Sequence, residues 1–327
     1  MNQTKVKKRV IGVVIRLEET VCAVVDVKGN IIAKESFPTT DYPEVNGFTV
    51  ALSKRILDLV EANGGYEEVR SVGISAPSGH FLSGSMVNSP NMPWKGVIPL
   101  AVMLQDQLGM AVAVANNAYV TGLAEHAYGS ARGICDFVVV TMGSGMGSCI
   151  FSNGRVHQGY DGFAGEIGHT CVIENGRLCG CGHKGCLEAY VAAKGVVKTA
   201  NEVLAESSEP SLMRDAGKLT PELIAQFCDE GDKLAIEVYR RTGEILGLGL
   251  ANFASLVAPE AFIFTGQVVK AGKWLLEPAE RAFEDLVFHN TRGKVKFLVS
   301  EFNKVETDVT GAAELAWEVK EYSLFKE

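Results

Sequence analysis

Three cysteines in the second half of the chain have the spacing of metal ligands. Glycines separate the thiols of Cys179, Cys181 and Cys186, so that a tight loop can wrap around one ion. Three thiolates need a fourth ligand to complete a tetrahedral zinc site, and the nearest histidines are His169 and His183. A zinc ion whose four positions are all filled by protein is structural rather than catalytic. The spacing therefore predicts a structural zinc site whose fourth ligand is one of these two histidines.

The length, composition and charge of the chain exclude several classes of protein. The chain has 327 residues, of which 47% are hydrophobic, and this is enough to bury the cores of two domains. With 31 Lys and Arg against 39 Asp and Glu, the formal net charge is −8 and the sequence pI is about 5.4. The longest run of basic residues is 7–9, which is a small electrostatic footprint for a phosphate backbone. Global disorder is excluded, and nucleic acid is not an expected partner.

The N-terminal residues and the lengths of the apolar runs indicate the cellular compartment of the protein. The first eight residues are polar and basic, and the apolar stretch that follows breaks at Arg16, short of a signal-peptide core. No window approaches the roughly 18 uninterrupted apolar residues of a membrane span. We therefore expect a cytoplasmic protein without a membrane anchor. In that compartment the remaining cysteines are expected to be scattered reduced thiols: Cys22, Cys135, Cys149, Cys171 and Cys228.

The apolar pattern predicts two similar α/β halves that would hold the loop. In the first half, β-branched runs predict strands at 10–17, 20–27, 31–36 and 69–75, and helical spacing predicts a helix at 48–63. The second half repeats short strands and helices in a similar order. Its predicted elements are strands at 110–114, 137–142, 148–151, 154–156, 261–265 and 294–299, and helices at 118–127, 234–256, 274–287 and 310–319. Two such halves predict duplicated α/β domains with a ligand cleft between them.

One stretch resembles a known family. Residues 162–169 read Gly-Phe-Ala-Gly-Glu-Ile-Gly-His, and together with the cysteine cluster up to Glu188 they resemble the sugar and zinc signature of the ROK family of repressors, open reading frames and sugar kinases. The resemblance spans nearly the whole chain and is glucokinase-like or N-acetylhexosamine-kinase-like. It implies an actin-like ATPase (ribonuclease H-like) fold, α/β, of two lobes with mixed sheets. The expected lobes are 1–115 plus 306–327, and 116–305 with the zinc loop.

The resemblance also assigns ligands. It implies a hexose or N-acetylhexosamine in the cleft between the lobes and zinc bound by His169, Cys179, Cys181 and Cys186, which leaves His183 as a loop residue. The residues expected to contact the sugar share amide, carboxylate or imidazole groups, which can pair with vicinal hydroxyls that both donate and accept. They are Asn91, Asn116, Asn117, Glu166, His169 and Glu188.

The first phosphate element of the family is altered in this chain. Active members open with a hairpin that reads Asp-x-Gly-Gly-Thr-Lys and faces the nucleotide phosphates. The aligned residues 14–19 read Val-Ile-Arg-Leu-Glu-Glu, so the acid and both glycines are absent and the Lys is replaced by Glu19. Arg16 and Leu17 add bulk where glycine would allow close approach, and Glu18 and Glu19 would repel a triphosphate. We expect weaker ATP binding.

The general base of the family is altered as well. Active members carry Asn-Asp-Ala-Asn, in which the Asp takes the proton of the attacking sugar hydroxyl, and this chain has Asn-Asn-Ala-Tyr at 116–119. The amide of Asn117 cannot accept that proton, and losing a positioned base typically costs ~10²–10⁴-fold in rate. Other nucleotide elements persist in part: Gly143, Ser144 and Gly145 resemble a second phosphate loop, and Gly266 is what remains of a glycine-rich turn near adenosine.

Two readings from different classes follow. The first is a zinc-stabilised sugar-binding relative of the kinases, a pseudokinase in which phosphotransfer is lost or strongly impaired. The second is an active hexose kinase of glucokinase type that uses Mg·ATP to phosphorylate the sugar 6-hydroxyl, with Asp161 as the one nearby carboxylate that could serve as base. The repressors of the family carry a winged helix-turn-helix domain before the first strand, whereas nine residues precede Val10, so direct DNA binding is not expected. Dimers are common in the family, and a homodimer is expected.

Overall fold

The structure, a computed structural model, describes residues 6–89, 92–302 and 304–319. Of the predicted site residues, Asn91 lies outside this part of the chain. The strands are β1 (Arg9–Ile15), β2 (Glu19–Asp26), β3 (Ile31–Pro38), β4 (Val69–Ser75), β5 (Gly79–His80), β6 (Ser85–Val87), β7 (Val97–Ile98), β8 (Ala111–Ala115), β9 (Phe137–Met142), β10 (Met146–Ser152), β11 (Arg155–Val156), β12 (Ala261–Thr265) and β13 (Lys296–Val299). The α-helices are α1 (Val45–Ala62), α2 (Leu100–Leu108), α3 (Asn117–Tyr128), α4 (Glu188–Val191), α5 (Ala193–Glu206), α6 (Pro221–Asp229), α7 (Lys233–Val257), α8 (Lys273–Leu286) and α9 (Lys304–Glu318).

The chain divides into two compact units. Unit 1 comprises the described residues of Met1–Arg132, Gln158–Phe163 and Glu301–Glu327, and unit 2 comprises Gly133–His157 and Ala164–Ser300. The first boundary falls after α3, whereas the sequence-based division placed it before this helix, at 115/116. The reason is that α3 packs against α9 of unit 1, so closely that a Cβ on Gly311 would lie 2.1 Å from the carbonyl oxygen of Val120.

Unit 1 is built on a mixed sheet in the order β3-β2-β1-β4-β8. β1 to β3 form an antiparallel meander, whereas β4 and β8 run parallel to β1. Side chains alternate across the sheet: Ile11 and Val13 join the core that includes α1, and Val10 and Val14 face the second core, which includes α9. The sheet is therefore covered by helices on both faces.

Close packing of α9 depends on a glycine in β4. A Cβ on Gly73 would lie 1.9 Å from the carbonyl oxygen of Ala312, a distance that real side chains do not reach. Glycine at this position lets the helix backbone lie directly on the sheet. The helix in turn covers the middle of the sheet, where β1 and β4 pair.

Unit 2 is built on a second mixed sheet, in the order β11-β10-β9-β12-β13. β9 to β11 form an antiparallel meander, and β12 and β13 run parallel to β9. α5 to α8 contribute buried side chains to its core, together with Leu187 and Tyr190 from the region of the cysteine loop. The strand order repeats that of unit 1, which agrees with the two similar halves predicted from the apolar pattern.

No helix within residues 6–89, 92–302 and 304–319 is both long enough and apolar enough to cross a membrane.

Candidate functional site

The predicted metal ligands converge in unit 2. One ligand atom from each of His169, Cys179, Cys181 and Cys186 lies within 4.8 Å of all the others. The Sγ atom of Cys179 is 3.7 Å from Nδ1 of His169, and the Sγ atoms of Cys181 and Cys186 are also 3.7 Å apart. A tetrahedral zinc ion, with bonds of ~2.3 Å to sulfur and ~2.0 Å to nitrogen, separates its ligand atoms by roughly 3.5–3.8 Å. The three thiols and one imidazole are donors that suit zinc, and the two separations of 3.7 Å match this spacing.

Backbone hydrogen bonds shape the loop that carries these cysteines. The N–H of Cys179 donates to the carbonyl of His183 at 2.8 Å, and the N–H of Gly182 donates back to the carbonyl of Cys179 at 3.0 Å. The exposed imidazole of His183 lies outside the cluster of ligand atoms. His169 ends a short 3₁₀ helix, Ile167–His169, and its side chain joins the cluster. The arrangement selects His169 over His183.

Without a cation, the three thiols differ in acidity. Burial raises the pKa of Cys186 to about 12 and also raises the pKa of Cys179. A hydrogen bond from the backbone of His183 lowers the pKa of Cys181. Because the buried thiols hold their protons in the metal-free protein, a divalent cation would have to displace them on binding.

Arg177 anchors the cysteine loop to the neighbouring helices, a role that no sequence pattern predicted. Its guanidinium donates to the carbonyls of Ala189 at 3.2 Å and Gly195 at 3.0 Å and to the hydroxyl of Thr199 at 2.9 Å, and it pairs with Glu202. These partners lie 12 to 25 residues after Arg177 in the chain. The Arg177 side chain is 9% exposed, so that these bonds form away from water. They fix the start of the loop against α5.

The ring of Tyr190 completes this anchor. The guanidinium lies over it at 4.6 Å from the ring centroid, and the Tyr190 hydroxyl accepts the backbone N–H of Arg177 at 2.8 Å. Tyr190 itself is buried in the core of unit 2. The cysteine loop is thereby tied to the same core that supports the sheet.

Three of the predicted sugar contacts lie beside the metal cluster. Nε2 of His169 is 3.9 Å from a carboxylate oxygen of Glu166, so the imidazole presents one nitrogen to the thiols and the other to a carboxylate. The thiol of Cys179 is 3.7 Å from Oε1 of Glu188. Burial raises the pKa of Glu166, and the charge of Glu188 adds to this, while His169 opposes it. The structure thus brings together two carboxylates and an imidazole that can pair with hydroxyl groups.

Glu188 also connects this cluster to the turn between β9 and β10. Its Oε2 accepts the backbone N–H of Met146 at 2.8 Å, and a Cβ on Gly145 would lie 2.8 Å from the same oxygen. The carbonyl of Gly143 accepts the N–H of Ala193 at the start of α5 at 2.9 Å. The turn that contains Gly143, Ser144 and Gly145 is therefore held from two sides.

The second predicted nucleotide element lies at the same edge of the sheet. Gly266 follows the last residue of β12, Thr265, which pairs in register with Thr141 of β9. Gly266 has φ +108°, and a Cβ there would lie 2.3 Å from the carbonyl oxygen of Met142. The structure therefore brings Gly266 to the glycine turn after β9, where the backbones of two turns approach each other closely.

In unit 1, Asn116 and Asn117 begin α3. The side chain of Asn116 caps the helix by accepting the N–H of Tyr119 at 2.8 Å, while Oδ1 of Asn117 accepts the hydroxyl of Ser75 at 3.0 Å. Ser75 ends β4 and pairs with Val14 in β1 and Ala115 in β8. Asn117, the residue predicted to stand where the family has its general base, thus has an amide oxygen that already accepts a hydrogen bond.

The turn between β1 and β2 contains an ion pair. Arg16 donates to Oδ2 of Asp308 in α9 at 2.6 Å, and the two side chains are 29% and 7% exposed. The backbone N–H of Arg16 donates to the carbonyl of Glu19 at 3.0 Å, which closes the turn. Where the family resemblance leads us to expect a glycine hairpin, the structure has an arginine that is held by the C-terminal helix.

Asp161, the alternative base, lies in the segment Gln158–Phe163, which belongs to unit 1. Its Oδ1 accepts the N–H of Phe163 at 3.2 Å, and its backbone carbonyl accepts Nε2–H of His80 at 2.6 Å. The ring of His80 stacks on Phe163 at 4.8 Å. The carboxylate of Asp161 thus supports a local turn, and His80, which sequence analysis missed, holds that turn.

Comparison with known proteins connects these features to a family. The ROK family model matches residues 10–319. Glucokinase of Streptomyces coelicolor is 30% identical over 316 residues, covering 94% of this chain and 97% of that protein. The crystal structure of a ROK family glucokinase from Streptomyces griseus, in complex with glucose and AMPPNP, is 28% identical, with a TM-score of 0.76 and coverage of 95% and 100%. A ROK family transcriptional regulator, described as a homolog of the E. coli MLC protein, shows the same fold at 24% identity, with a TM-score of 0.83 and coverage of 95% and 78%.

The fold and the site thus define an α/β protein of the sugar kinase type with an actin-like fold, as the sequence predicted. This chain belongs to the ROK family.

Proposed function

We propose that this protein binds a hexose or N-acetylhexosamine and that its phosphotransfer activity is lost or strongly impaired. The observation that carries the proposal is the amide of Asn117 at the start of α3, where Ser75 donates a hydrogen bond to its oxygen. An amide cannot take a proton from a sugar hydroxyl, so the rate would fall by ~10²–10⁴-fold relative to a carboxylate at the same place.

The sugar part of the proposal is supported by the residues beside the metal cluster. Glu166, His169 and Glu188 offer carboxylate oxygens and an imidazole nitrogen within one small region of unit 2. Asn116 and Asn117 offer amide groups at the start of α3 in unit 1, and Asn91 completes the proposed set. The related Streptomyces griseus glucokinase was crystallised with glucose, which makes a hexose the first ligand to try.

The expected nucleotide-binding elements are altered in unit 1 and persist in part in unit 2. In unit 1, the pair of Arg16 with Asp308 stands where a glycine hairpin would face phosphates, and Glu18 and Glu19 follow it. In unit 2, the glycine turn at 143–145 and Gly266 still form two close-packed turns at one sheet edge. We therefore expect weak binding of Mg·ATP through unit 2.

The second candidate is an active hexose kinase of glucokinase type that phosphorylates the sugar 6-hydroxyl. It is favoured by the two glycine turns that persist in unit 2 and by relatives that are glucokinases at 30% identity. It would need a base other than Asn117, and the nominated Asp161 uses a carboxylate oxygen to accept the N–H of Phe163. We rank it second for this reason.

Zinc is the third part of the proposal. His169, Cys179, Cys181 and Cys186 would hold it as a structural ion, and when bound it would contribute folding energy to unit 2. Through Nδ1 the site would also fix the tautomer of His169, whose Nε2 faces Glu166.

A cytoplasmic location belongs to the proposal because thiol ligands stay reduced there. A homodimer is a further expectation, and a monomer by sedimentation at micromolar concentration would contradict it.

The test is a coupled assay for sugar phosphate with hexoses and N-acetylhexosamines in the presence of Mg·ATP. We expect negligible turnover by the wild type and a rise in turnover for Asn117→Asp combined with restoration of the hairpin by Val14→Asp, Arg16→Gly, Leu17→Gly, Glu18→Thr and Glu19→Lys. Asn201→Asp is the matched control, because it adds the same charge at an exposed position of α5. Brisk turnover by the wild type would overturn the proposal in favour of the active kinase.

A further inference from the structure

A cysteine outside the metal cluster lies opposite one of its ligands. Cys171 and Cys186 face each other in an isolated antiparallel bridge. The flanking residues make the hydrogen bonds: Val172 N–H donates to the carbonyl of Gly185 at 2.9 Å, and Leu187 N–H donates to that of Thr170 at 3.0 Å. Cys171 and Cys186 are therefore a non-hydrogen-bonded pair, the arrangement in which opposite side chains come closest.

This arrangement suits a disulfide. In non-hydrogen-bonded pairs the Cα atoms are about 4.5 Å apart, and disulfides span Cα separations of roughly 4.4–6.8 Å. The thiol of Cys171 also lies against the strand that carries its partner, since a Cβ built on Gly185 would be 3.0 Å from this sulfur. Side-chain rotation can thus join the two sulfurs without moving the backbone.

Cys171 and Cys186 differ in their exposure and in whether they belong to the cluster of metal-ligand atoms. Cys171 is exposed and does not belong to the group of ligand atoms, whereas Cys186 is buried and does. In the zinc-loaded protein, Cys179, Cys181 and Cys186 would be bound to the ion. Cys171 would then be the accessible, unbound thiol of this loop, and exposure to the oxidant is one of the conditions for oxidation of a thiol.

We propose that Cys171 and Cys186 are an oxidation site that couples peroxide to the metal centre. Hydrogen peroxide oxidises the Cys171 thiol to a sulfenic acid and leaves as water. The sulfur of Cys186 then attacks that of Cys171, the disulfide forms, and the sulfenic oxygen leaves as a second water after taking one proton. Two thiols and one peroxide give one disulfide and two waters. The metal site loses one of its four ligands and releases its ion.

The zinc consequence rests on the proposed function, but the disulfide does not. The competing product is a bond between Cys181 and Cys186, whose sulfurs are 3.7 Å apart. The two products differ in peptide mapping because trypsin cleaves after Arg155, Arg177, Lys184 and Lys194. A Cys171–Cys186 bond links peptides 156–177 and 185–194, whereas a Cys181–Cys186 bond links 178–184 and 185–194.

The experiment treats the purified full chain, with its metal content measured first, with graded hydrogen peroxide. Released zinc is followed with a chromogenic chelator, and trypsin peptides are mapped by mass spectrometry without reduction. We expect the link between 156–177 and 185–194 to appear first, one zinc to be released per link, and dithiothreitol to reverse the link. Protein that carries no zinc would contradict the metal proposal alone, because the peptide map would still test the disulfide.

Variants of Cys171 test whether this thiol forms the link with Cys186. Cys171→Val and Cys171→Ser should lose the link and keep their zinc at peroxide levels that empty the wild type. Cys135→Ser removes another exposed cysteine of unit 2 and should behave as the wild type. Release of zinc from both Cys171 variants at the wild-type rate would overturn the proposal. A first link between 178–184 and 185–194 in the wild type would overturn it as well.

Discussion

Replacement of Arg177 by Met should loosen the whole metal loop although no ligand is changed. The methionine keeps the apolar stem against Tyr190 but removes the guanidinium that donates to Ala189, Gly195 and Thr199 and pairs with Glu202. Because the Arg177 side chain is only 9% exposed, the groups that it leaves behind cannot all be solvated.

The magnitude follows from those partners one by one. The carbonyl of Gly195 keeps a hydrogen bond from the hydroxyl of Thr199 at 3.0 Å, and Glu202, with 43% of its side chain exposed, can turn to water. The main cost is the lost charge-assisted bond to the carbonyl of Ala189, with smaller losses at Thr199 and at the ion pair. At ~1–3 kcal/mol for the first and less for the others, we expect a total of about 3 kcal/mol.

Two measurements check this value. Urea unfolding gives the loss of stability of the variant, and hydrogen exchange followed by mass spectrometry locates it, with faster exchange expected over residues 170–206. Arg240→Met is the matched control: Arg240 pairs with Glu237 and Glu244 on the exposed face of α7 and is 44% exposed, so that its loss should cost ~0–1 kcal/mol. An Arg177→Met protein as stable as the Arg240→Met protein, with unchanged exchange over 170–206, would refute the anchoring role.

Three further predictions concern the metal, the pH dependence and the packing of the sheet. Cys181→Ser should lower both the zinc content by elemental analysis and the melting temperature, whereas Cys135→Ser should change neither. Burial by itself would raise the pKa of Asp232, but hydrogen bonds from Ser211 and three backbone N–H groups lower it overall. Its contribution to stability is therefore present above the unfolded pKa of about 3.9 and lost as the pH falls through the lower folded value, so Asp232→Asn should flatten the acid limb of a stability–pH curve below about pH 4. Gly73→Ala should prevent α9 from packing, because its Cβ would lie 1.9 Å from a carbonyl oxygen of that helix, and soluble yield with circular dichroism would show this.

Buried strands were the part of the fold that the sequence predicted best. The observed bounds of β4, β9 and β12 equal the predicted 69–75, 137–142 and 261–265. β9 and β12 are largely apolar runs that each begin after an acidic residue and end before a glycine. Helices α2, α5 and α6 were not predicted. For α6 a local signal existed, since Thr220 caps the helix and Pro221 occupies its first turn.

Helix α9 shows why some bounds escape sequence analysis. It begins at Lys304, six residues before the predicted start at 310. Residues 304–308 contain a single apolar side chain, so apolar periodicity gives no signal there. The contact that holds Asp308 in this stretch comes from Arg16, which is 292 residues away in the chain.

In the candidate site, too, residues that are close in sequence were predicted, whereas contacts between residues far apart in the chain were not. The candidate metal cluster was predicted because Cys179, Cys181 and Cys186 are close in sequence and because the family resemblance pointed to His169, and the structure brings these four residues together. The contacts of Asn117 with Ser75 and of Arg177 with Glu202 join residues that are 42 and 25 positions apart in the chain, and no local sequence pattern predicts them. Contacts of this kind become visible only when the strands and helices that carry them are placed in the fold.

The proposed sugar binding without phosphotransfer is tested most directly by calorimetric titration of the wild-type protein with glucose, mannose and N-acetylhexosamines, with and without Mg·ATP, followed by analysis of each cell for sugar phosphate. We expect saturable binding of at least one sugar, little or no effect of Mg·ATP on that binding, and no sugar phosphate. Stoichiometric conversion of the bound sugar to its phosphate would contradict it and would show that Asn117 does not remove the activity. The absence of binding for every sugar in the panel would contradict the assignment of Glu166, His169 and Glu188 as hydroxyl contacts.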